Sequence, residues 1–230
     1  LPANMYQDEQ FSQFFYKDAY LQQLPNTYCL PHAPYTLNLA ASEEHFLTWA
    51  KARLLYECHQ TRICGLKYLV LHPGSGKNWK NRDDCLKQIA SIIDHCLDRV
   101  PDVEILVETM VGGAALIGTS FQELKTIIQY CKNNQRVKVC VDTAHCWAGA
   151  FASQENFIEK LNKNFYSVFK TDIEFLHLNN SLSDYGSNKD RHAKIQEGKI
   201  PVDELKKVSQ WTKLKIIVME IEESTVEFDL

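Results

Sequence analysis

Nine side chains with the chemistry of metal ligands follow strand-like apolar runs along this chain of 230 residues. Imidazole and carboxylate groups are ligands that zinc takes in proteins. The set comprises His32, His72, Glu108, Asp142, His145, His177, Asp190, His192 and Glu220. Six of them follow separate apolar runs and are 34 to 43 residues apart, about one strand plus one returning helix. This spacing predicts a metal centre assembled from the ends of successive strands.

The segments that must position these ligands alternate between strand-like and helix-like patterns. Amphipathic stretches separate the apolar runs, Ser120 and Glu123 predict a capping box at the start of one helix, and residues 11–24 are also helix-like. The strand-length apolar runs cover residues 28–31, 68–72, 105–108, 137–142, 175–178 and 216–220. Six repeated strand-helix units predict a parallel α/β fold.

The distribution of the ligands favours a closed barrel over an open sheet. All strand ends of a barrel meet at one mouth, whereas an open sheet gathers its ligands at a switch point. A (β/α)8 TIM-type barrel needs eight strands, so we expect two strands to precede Leu1. We interpret residues 1–230 as a single barrel domain that is truncated at its N-terminus and retains six strand-helix units.

Composition and charge narrow the classes of function. No apolar run is long enough for a membrane span, and residues 1–10 do not have the pattern of a signal peptide. The eight cysteines contain no C-x-x-C pair, which predicts free thiols in a reducing compartment, the cytoplasm or nucleus, and no secretion. The net charge of -4 argues against a generic polyanion binder, unless bound divalent cations offset the carboxylates. Leu71 and Asn78 break a P-loop pattern around Lys77, so we expect no nucleotide cofactor.

Two ligand pairs lie close together in the sequence. Asp142 and His145 are three residues apart at a strand-to-helix turn, and Asp190 and His192 are two residues apart in a loop. A mixture of carboxylates and imidazoles favours zinc, with manganese as an alternative at one site, over magnesium.

Five motifs that contain the candidate ligands occur in a fixed order. They are Leu30-Pro31-His32, Leu71-His72-Pro73-Gly74-Ser75, Cys140-Val141-Asp142-Thr143-Ala144-His145, His177-Leu178-Asn179 and Gly186-Ser187-Asn188-Lys189-Asp190-Arg191-His192. Together they resemble the endonuclease IV family of abasic-site DNA repair nucleases over residues 27–222. The resemblance implies a (β/α)8 barrel with three zinc ions. It also implies hydrolysis of the phosphodiester bond 5′ to an abasic site in double-stranded DNA, leaving a 3′-hydroxyl and a 5′-deoxyribose phosphate.

The resemblance also implies a division of the ligands and their roles. His32, His72 and Glu108 would hold one zinc, and Glu108 would bridge to a second zinc and orient the attacking nucleophile as the catalytic carboxylate. The second zinc would be held by Asp142, His177 and Glu220, and the third by His145, Asp190 and His192. Tyr35 is expected to enter the abasic DNA, Lys189 and Arg191 to contact it, and the protein to act as a monomer.

Two departures from the family pattern lie beside the ligands. Thr109-Met110-Val111-Gly112 stands where the family has Asn-Thr-Ala-Gly, which affects a DNA-contacting loop. Asn180 stands where the family has Asp, and we expect this change to tune the third zinc or the end of a strand.

Two other functions fit part of the pattern. A metal-dependent sugar isomerase or epimerase of the xylose-isomerase-like barrel type needs only a quartet such as Glu108, Asp142, His177 and Glu220. Five further ligands would then have no role. An inactive DNA-binding remnant is the second alternative, and the presence of all nine ligand types argues against it.

Overall fold

A computed structural model of the chain describes residues 29–220, so the helix-like stretch at residues 11–24 lies outside the described part. The described residues group into two compact units. The first unit contains residues 29–107 and 127–138, and the second contains residues 108–126 and 139–220. Within residues 29–220, no helix is both long and apolar enough to cross a membrane.

The first unit contains two parallel strands with helices between them. Its elements are α1 Glu44–Ile63, β1 Tyr68–Leu71, α2 Arg82–Leu97 and all but the last residue of β2 Glu104–Glu108. In the parallel register, Leu69 lies opposite Ile105. Helix α1 buries Ala50, Leu54 and Cys58, whose spacing of four residues places them on one face. The strand predicted at residues 68–72 is therefore confirmed to within one residue, and it ends just before His72.

The first predicted strand, residues 28–31, is not confirmed as a strand. Tyr28 lies outside the described residues, and residues 29–31 have no strand conformation. Only an isolated parallel bridge joins His32 to Val70, supported by hydrogen bonds from Val70 N to Pro31 O and from Ala33 N to Val70 O. Pro31 has no N–H group, so it cannot donate to a strand ladder. The bridge still fixes His32 beside β1.

The second unit contains three parallel strands. Its elements, of which α3 and β3 each have some residues in the first unit, are α3 Phe121–Tyr130, β3 Val137–Asp142, α4 Thr143–Ala148, α5 Phe157–Phe169, β4 Phe175–His177, β5 Asn180–Ser181, β6 His192–Ala193, α6 Val202–Lys206 and β7 Ile216–Val218. β4 pairs with β3 on one side and with β7 on the other, so Asp142, His177 and Val218 lie level. The strand predicted at 137–142 is confirmed, and those at 105–108, 175–178 and 216–220 are confirmed to within two residues.

An aromatic contact joins helices α4 and α5, and a side-chain cap begins helix α3. The rings of Trp147 and Phe157 are 5.2 Å apart and nearly perpendicular. Every cysteine in the described range is a free thiol, as predicted. The predicted capping box is half correct. Ser120 Oγ accepts a hydrogen bond from Glu123 N at 3.2 Å, but the Glu123 carboxylate accepts from Gly118 N instead of Ser120 N.

A short antiparallel hairpin returns the chain to the end of β4. Its strands β5 and β6 pair Asn180 with Ala193 and Ser181 with His192. The connecting loop is anchored to α4, because Gly186 N donates to Trp147 O at 3.1 Å and Asn188 N donates to Ala148 O at 2.9 Å. The hairpin was not predicted from the sequence, and it brings His192 back beside the strand that carries His177.

Candidate metal centre

Four of the predicted ligands form an inner group: Glu108, Asp142, His177 and Glu220. The first three occupy the last positions of β2, β3 and β4, and Glu220 lies two residues after β7. Parallel strands bring their carboxyl ends to the same edge of a sheet. One ligand atom from each of the four lies within 4.8 Å of the others. The parallel strand ends and the turn after β7 therefore gather a quartet that can hold a metal ion.

The imidazole of His177 is the centre of the inner group. Its Nδ1 atom lies 3.0 Å from Glu108 Oε1 and 3.1 Å from Glu220 Oε2. Burial opposes a charge on this ring, but the neighbouring Cys140 and the two carboxylates outweigh that effect and hold the pKa of His177 far above its ordinary value. The inner group therefore has an excess of negative charge that a cation would neutralise.

Asp142 also belongs to a second cluster, the outer group: Asp142, His145, Asp190 and His192. Ligand atoms of Asp142, His145 and His192 lie within 4.8 Å of one another. The Asp190 carboxylate lies 3.2 Å from His145 Nε2 and 3.4 Å from His192 Nε2. A single carboxylate, Asp142, is thus shared by two adjoining candidate sites.

Asn179 orients the carboxylates of the inner group. Its buried amide donates to Asp142 Oδ2 at 2.5 Å and to Glu220 Oε2 at 3.0 Å, and its Oδ1 accepts from Glu220 N at 2.8 Å. Thr143 holds Asn179 in place, since Asn179 N donates to Thr143 Oγ1 at 2.9 Å. Groups of this kind, which hold ligands without binding the ion, set the direction of the ligand lone pairs.

Thr109 orients ligands of the outer group through hydrogen bonds with His145 and Asp142. Its carbonyl oxygen lies 2.8 Å from His145 Nδ1, so Nδ1 donates and Nε2 is the nitrogen that faces the other ligands. Its Oγ1 accepts from Asp142 N at 2.9 Å. Thr109 stands at one of the positions where the chain departs from the family pattern, and here it supports both groups.

The outer group has the electrostatics of a cation site. Burial alone would lower the pKa of His145, but the charges of Asp142, Glu108 and Asp190 outweigh it and raise the pKa to about 10. His192 Nε2 is buried and makes no hydrogen bond within residues 29–220, although the carboxylates of Asp190 and Asp142 lie 3.4 and 3.7 Å from it. A buried polar atom without a partner is costly unless a ligand satisfies it. The residues present therefore fit bound zinc, which takes nitrogen and oxygen donors.

The remaining predicted site residues belong to the first unit or to the hairpin loop. In the first unit, the rings of His32 and His72 are 4.8 Å apart and nearly perpendicular. Tyr35 lies in the loop after His32 and is 85% exposed. Lys189 and Arg191 flank Asp190 on the exposed hairpin loop, where Arg191 Nη1 donates to Asp190 O at 2.7 Å. The structure thus gathers seven predicted ligands in the second unit and two in the first.

Asn180, which was expected to tune the third zinc or the end of a strand, makes no hydrogen bond to a ligand side chain. Its amide faces the loop at residues 195–200 and not the ligands. Asn179 and Thr109 were not predicted as site residues, because an amide or hydroxyl that holds a ligand has no spacing rule of its own. The signal available for them was position, since Asn179 is the last residue of the motif His177-Leu178-Asn179 and Thr109 directly follows Glu108.

Comparison with known proteins places this arrangement in a family. Residues 15–225 match the family described as a xylose isomerase-like TIM barrel. A probable endonuclease 4 of Metamycoplasma arthritidis is 35% identical over 201 residues, which cover 85% of this chain and 70% of that protein. The chain belongs to the endonuclease IV family of xylose isomerase-like TIM barrels.

Two further comparisons give the share of the length of similar proteins that this chain spans. An apurinic-apyrimidinic endonuclease of Caenorhabditis elegans is 34% identical over 173 residues, and the match spans only 44% of that protein. The crystal structure of endonuclease IV from Thermus thermophilus has a TM-score of 0.71 at 23% identity, covering 97% of this chain and 76% of that chain. The predicted fold class, a TIM-type barrel represented in part, is confirmed.

Proposed function

We propose that this protein is a DNA repair endonuclease that hydrolyses the phosphodiester bond 5′ to an abasic site with three zinc ions. The products would be a 3′-hydroxyl and a 5′-deoxyribose phosphate. The observation that carries the proposal is the pair of adjoining ligand groups that share Asp142. The names of the endonuclease IV relatives supply the substrate class.

The proposed division of ligands follows the geometry in the second unit and the family resemblance in the first. Glu108, Asp142, His177 and Glu220 hold one ion, and the outer group holds another. By the family resemblance, His32 and His72, whose rings are 4.8 Å apart, would hold the third ion together with Glu108. Bound zinc would supply hydroxide near neutral pH and neutralise charge that develops on the phosphate.

Glu108 is the proposed catalytic carboxylate. It is fully buried, and its Oε1 lies 3.0 Å from His177 Nδ1 and 3.5 Å from His145 Nδ1. The carboxylate therefore faces ligands of both groups, where it can orient an attacking water. The side chains of His192, Asp190 and Glu220 are 24%, 47% and 31% exposed, so a substrate phosphate would reach the centre on the side of these three residues.

Exposed side chains support contact with DNA. Tyr35 presents a ring that can replace a missing base in the stack, while Lys189 and Arg191 stand beside the outer group and neutralise phosphates. The eight free thiols support a reducing compartment, and we propose a monomer without a nucleotide cofactor.

A sugar isomerase or epimerase is the second candidate, because the inner group alone is a complete one-metal quartet. That function uses none of His145, Asp190 and His192. A count of bound ions separates the two functions.

The test is incision of a duplex that carries one synthetic abasic site. The protein at its native length should cut the strand 5′ to that site, and a chelator should abolish cutting. A His192→Ala variant should lose one zinc ion and most of the activity. No incision by zinc-loaded protein would overturn the proposal.

A further inference from the structure

Asn180 makes a buried polar contact with the segment that follows β6. Its side chain is fully buried and makes four hydrogen bonds. The amide nitrogen donates to Ile195 O at 2.7 Å and to Ile200 O at 2.9 Å, while Oδ1 accepts from Ile200 N at 2.9 Å and from Ser181 N at 2.7 Å. One side chain thus fastens both ends of the segment 195–200.

The middle of that segment is shaped to the same amide. A Cβ atom added to Gly198 would lie 2.2 Å from both Asn180 Cγ and Oδ1. Contacts below 3.0 Å require something to move, and the neighbour here is a buried side chain held by hydrogen bonds. Lys199 N donates to Ser181 O at 2.7 Å, so the backbone of this segment also bonds to β5. Gly198 and Asn180 form a matched pair, which we call the amide lock.

The amide lock acts on the strand that carries a ligand. Residues 195–200 follow β6 after a single intervening residue, and Ala193 of β6 pairs with Asn180 itself. His192 is the other residue of β6, and Asp190 precedes it by two positions. Because the two-residue strand β6 has few bonds of its own, fastening the segment after it limits the movement of both ligands.

In this chain the hydrogen bonds of the lock use both a donor and an acceptor of the Asn180 amide. Two of the partners are carbonyl oxygens, which need a donor, and an ionised aspartate can only accept. Replacing Asn180 by the aspartate usual in the family would set a carboxylate against the carbonyl oxygens of Ile195 and Ile200. Buried acceptors facing one another without a proton are destabilising.

We propose that Asn180 and Gly198 are positioning residues for the outer group, acting through β6 on His192 and Asp190. This inference rests on the proposed zinc-dependent function. It predicts that breaking the lock weakens the ion of the outer group selectively and leaves the inner group intact.

The experiment compares zinc content, zinc affinity and peptide-resolved hydrogen exchange for the wild type, Asn180→Asp and Gly198→Ala. Both variants should retain about two of about three ions and bind the outer ion about 10- to 100-fold more weakly, the usual range for groups that orient ligands. Amides in residues 190–200 should exchange faster, while those of β3 and β4 should not. Gly198→Ala adds no charge, so it carries the test if Asn180→Asp does not fold.

Asn164→Asp is the matched control. Asn164 is exposed, and its amide donates to the carbonyl of Phe151 at 2.9 Å, so the substitution makes the same chemical change away from the lock. Wild-type zinc content and affinity in both lock variants would overturn the inference, as would loss of all ions together. A wild type that binds no zinc would instead overturn the proposed function before any variant is compared.

Discussion

The inner and outer groups reach similar chemistry by different means. The inner group comes from strand ends, where Asp142 and His177 are fixed by parallel register and are almost fully buried. The outer group adds His145 from the first turn of α4 and two ligands from the hairpin, the half-exposed Asp190 in its loop and His192 in the short strand β6. Strand-end ligands are held by the backbone of the whole unit, whereas loop ligands depend on a few local hydrogen bonds. The outer ion should therefore be the easier one to remove.

Asp142→Asn should have the largest effect, because Asp142 belongs to both groups. We expect the zinc content to fall from about three ions to about one. Incision should fall by more than about 100-fold, because loss of a group that only orients a ligand usually costs about 10- to 100-fold. Elemental analysis and the incision assay measure these losses. Asp203→Asn, which removes a charge from an exposed ion pair with Lys206, is the control and should keep all ions. Retention of three ions by Asp142→Asn would show that the groups do not share this ligand.

Asn179→Ala should separate the two groups. It removes the donors to Asp142 Oδ2 and Glu220 Oε2 but leaves His145, Asp190 and His192 in place. We expect the inner ion to bind about 10- to 100-fold more weakly, with a smaller change for the outer ion. Competition with a chromophoric chelator measures both affinities, and Asn164→Ala is the control. An equal loss at both sites would contradict the distinction between the groups.

The strand ends and their ligands could be predicted from the sequence because apolar runs and ligand spacing are both local patterns. Strands at 68–72, 105–108, 137–142, 175–178 and 216–220 follow this rule closely. The hairpin β5–β6 could not be predicted, since each strand has two residues and no alternation to detect. The same is true of the long-range contacts of Asn179 and Asn180, whose partners apart from Ser181 lie 15 to 41 residues away in the sequence.

The stability of the zinc-free protein should depend on pH. The pKa of His145 is raised to about 10 in the folded state, against about 6.5 when unfolded. A raised folded-state pKa stabilises the fold fully below pH 6.5, and this contribution is lost as the pH rises toward 10. The melting temperature in chelator should therefore fall between about pH 7 and about pH 10. Zinc-loaded protein should not show this fall, because a liganded imidazole is already deprotonated. A flat profile in chelator would contradict the raised pKa.

Thr109→Val should have the smallest effect. It removes the acceptor of the buried Asp142 N–H but keeps the Thr109 carbonyl that faces His145. We expect a loss of about 1 to 3 kcal/mol in the free energy of unfolding, with little change in the number of bound ions. Denaturant titration measures this loss, and Thr109→Ser, which retains the hydroxyl, should lose less. Equal losses in the two variants would assign the effect to packing.

The number of zinc ions bound per chain tests the account most directly. Elemental analysis of native-length protein, purified with zinc and freed of loosely bound metal, should give about three ions. His192→Ala should give about two. A wild-type value of one, unchanged by His192→Ala, would contradict the shared-ligand centre and favour the one-metal isomerase.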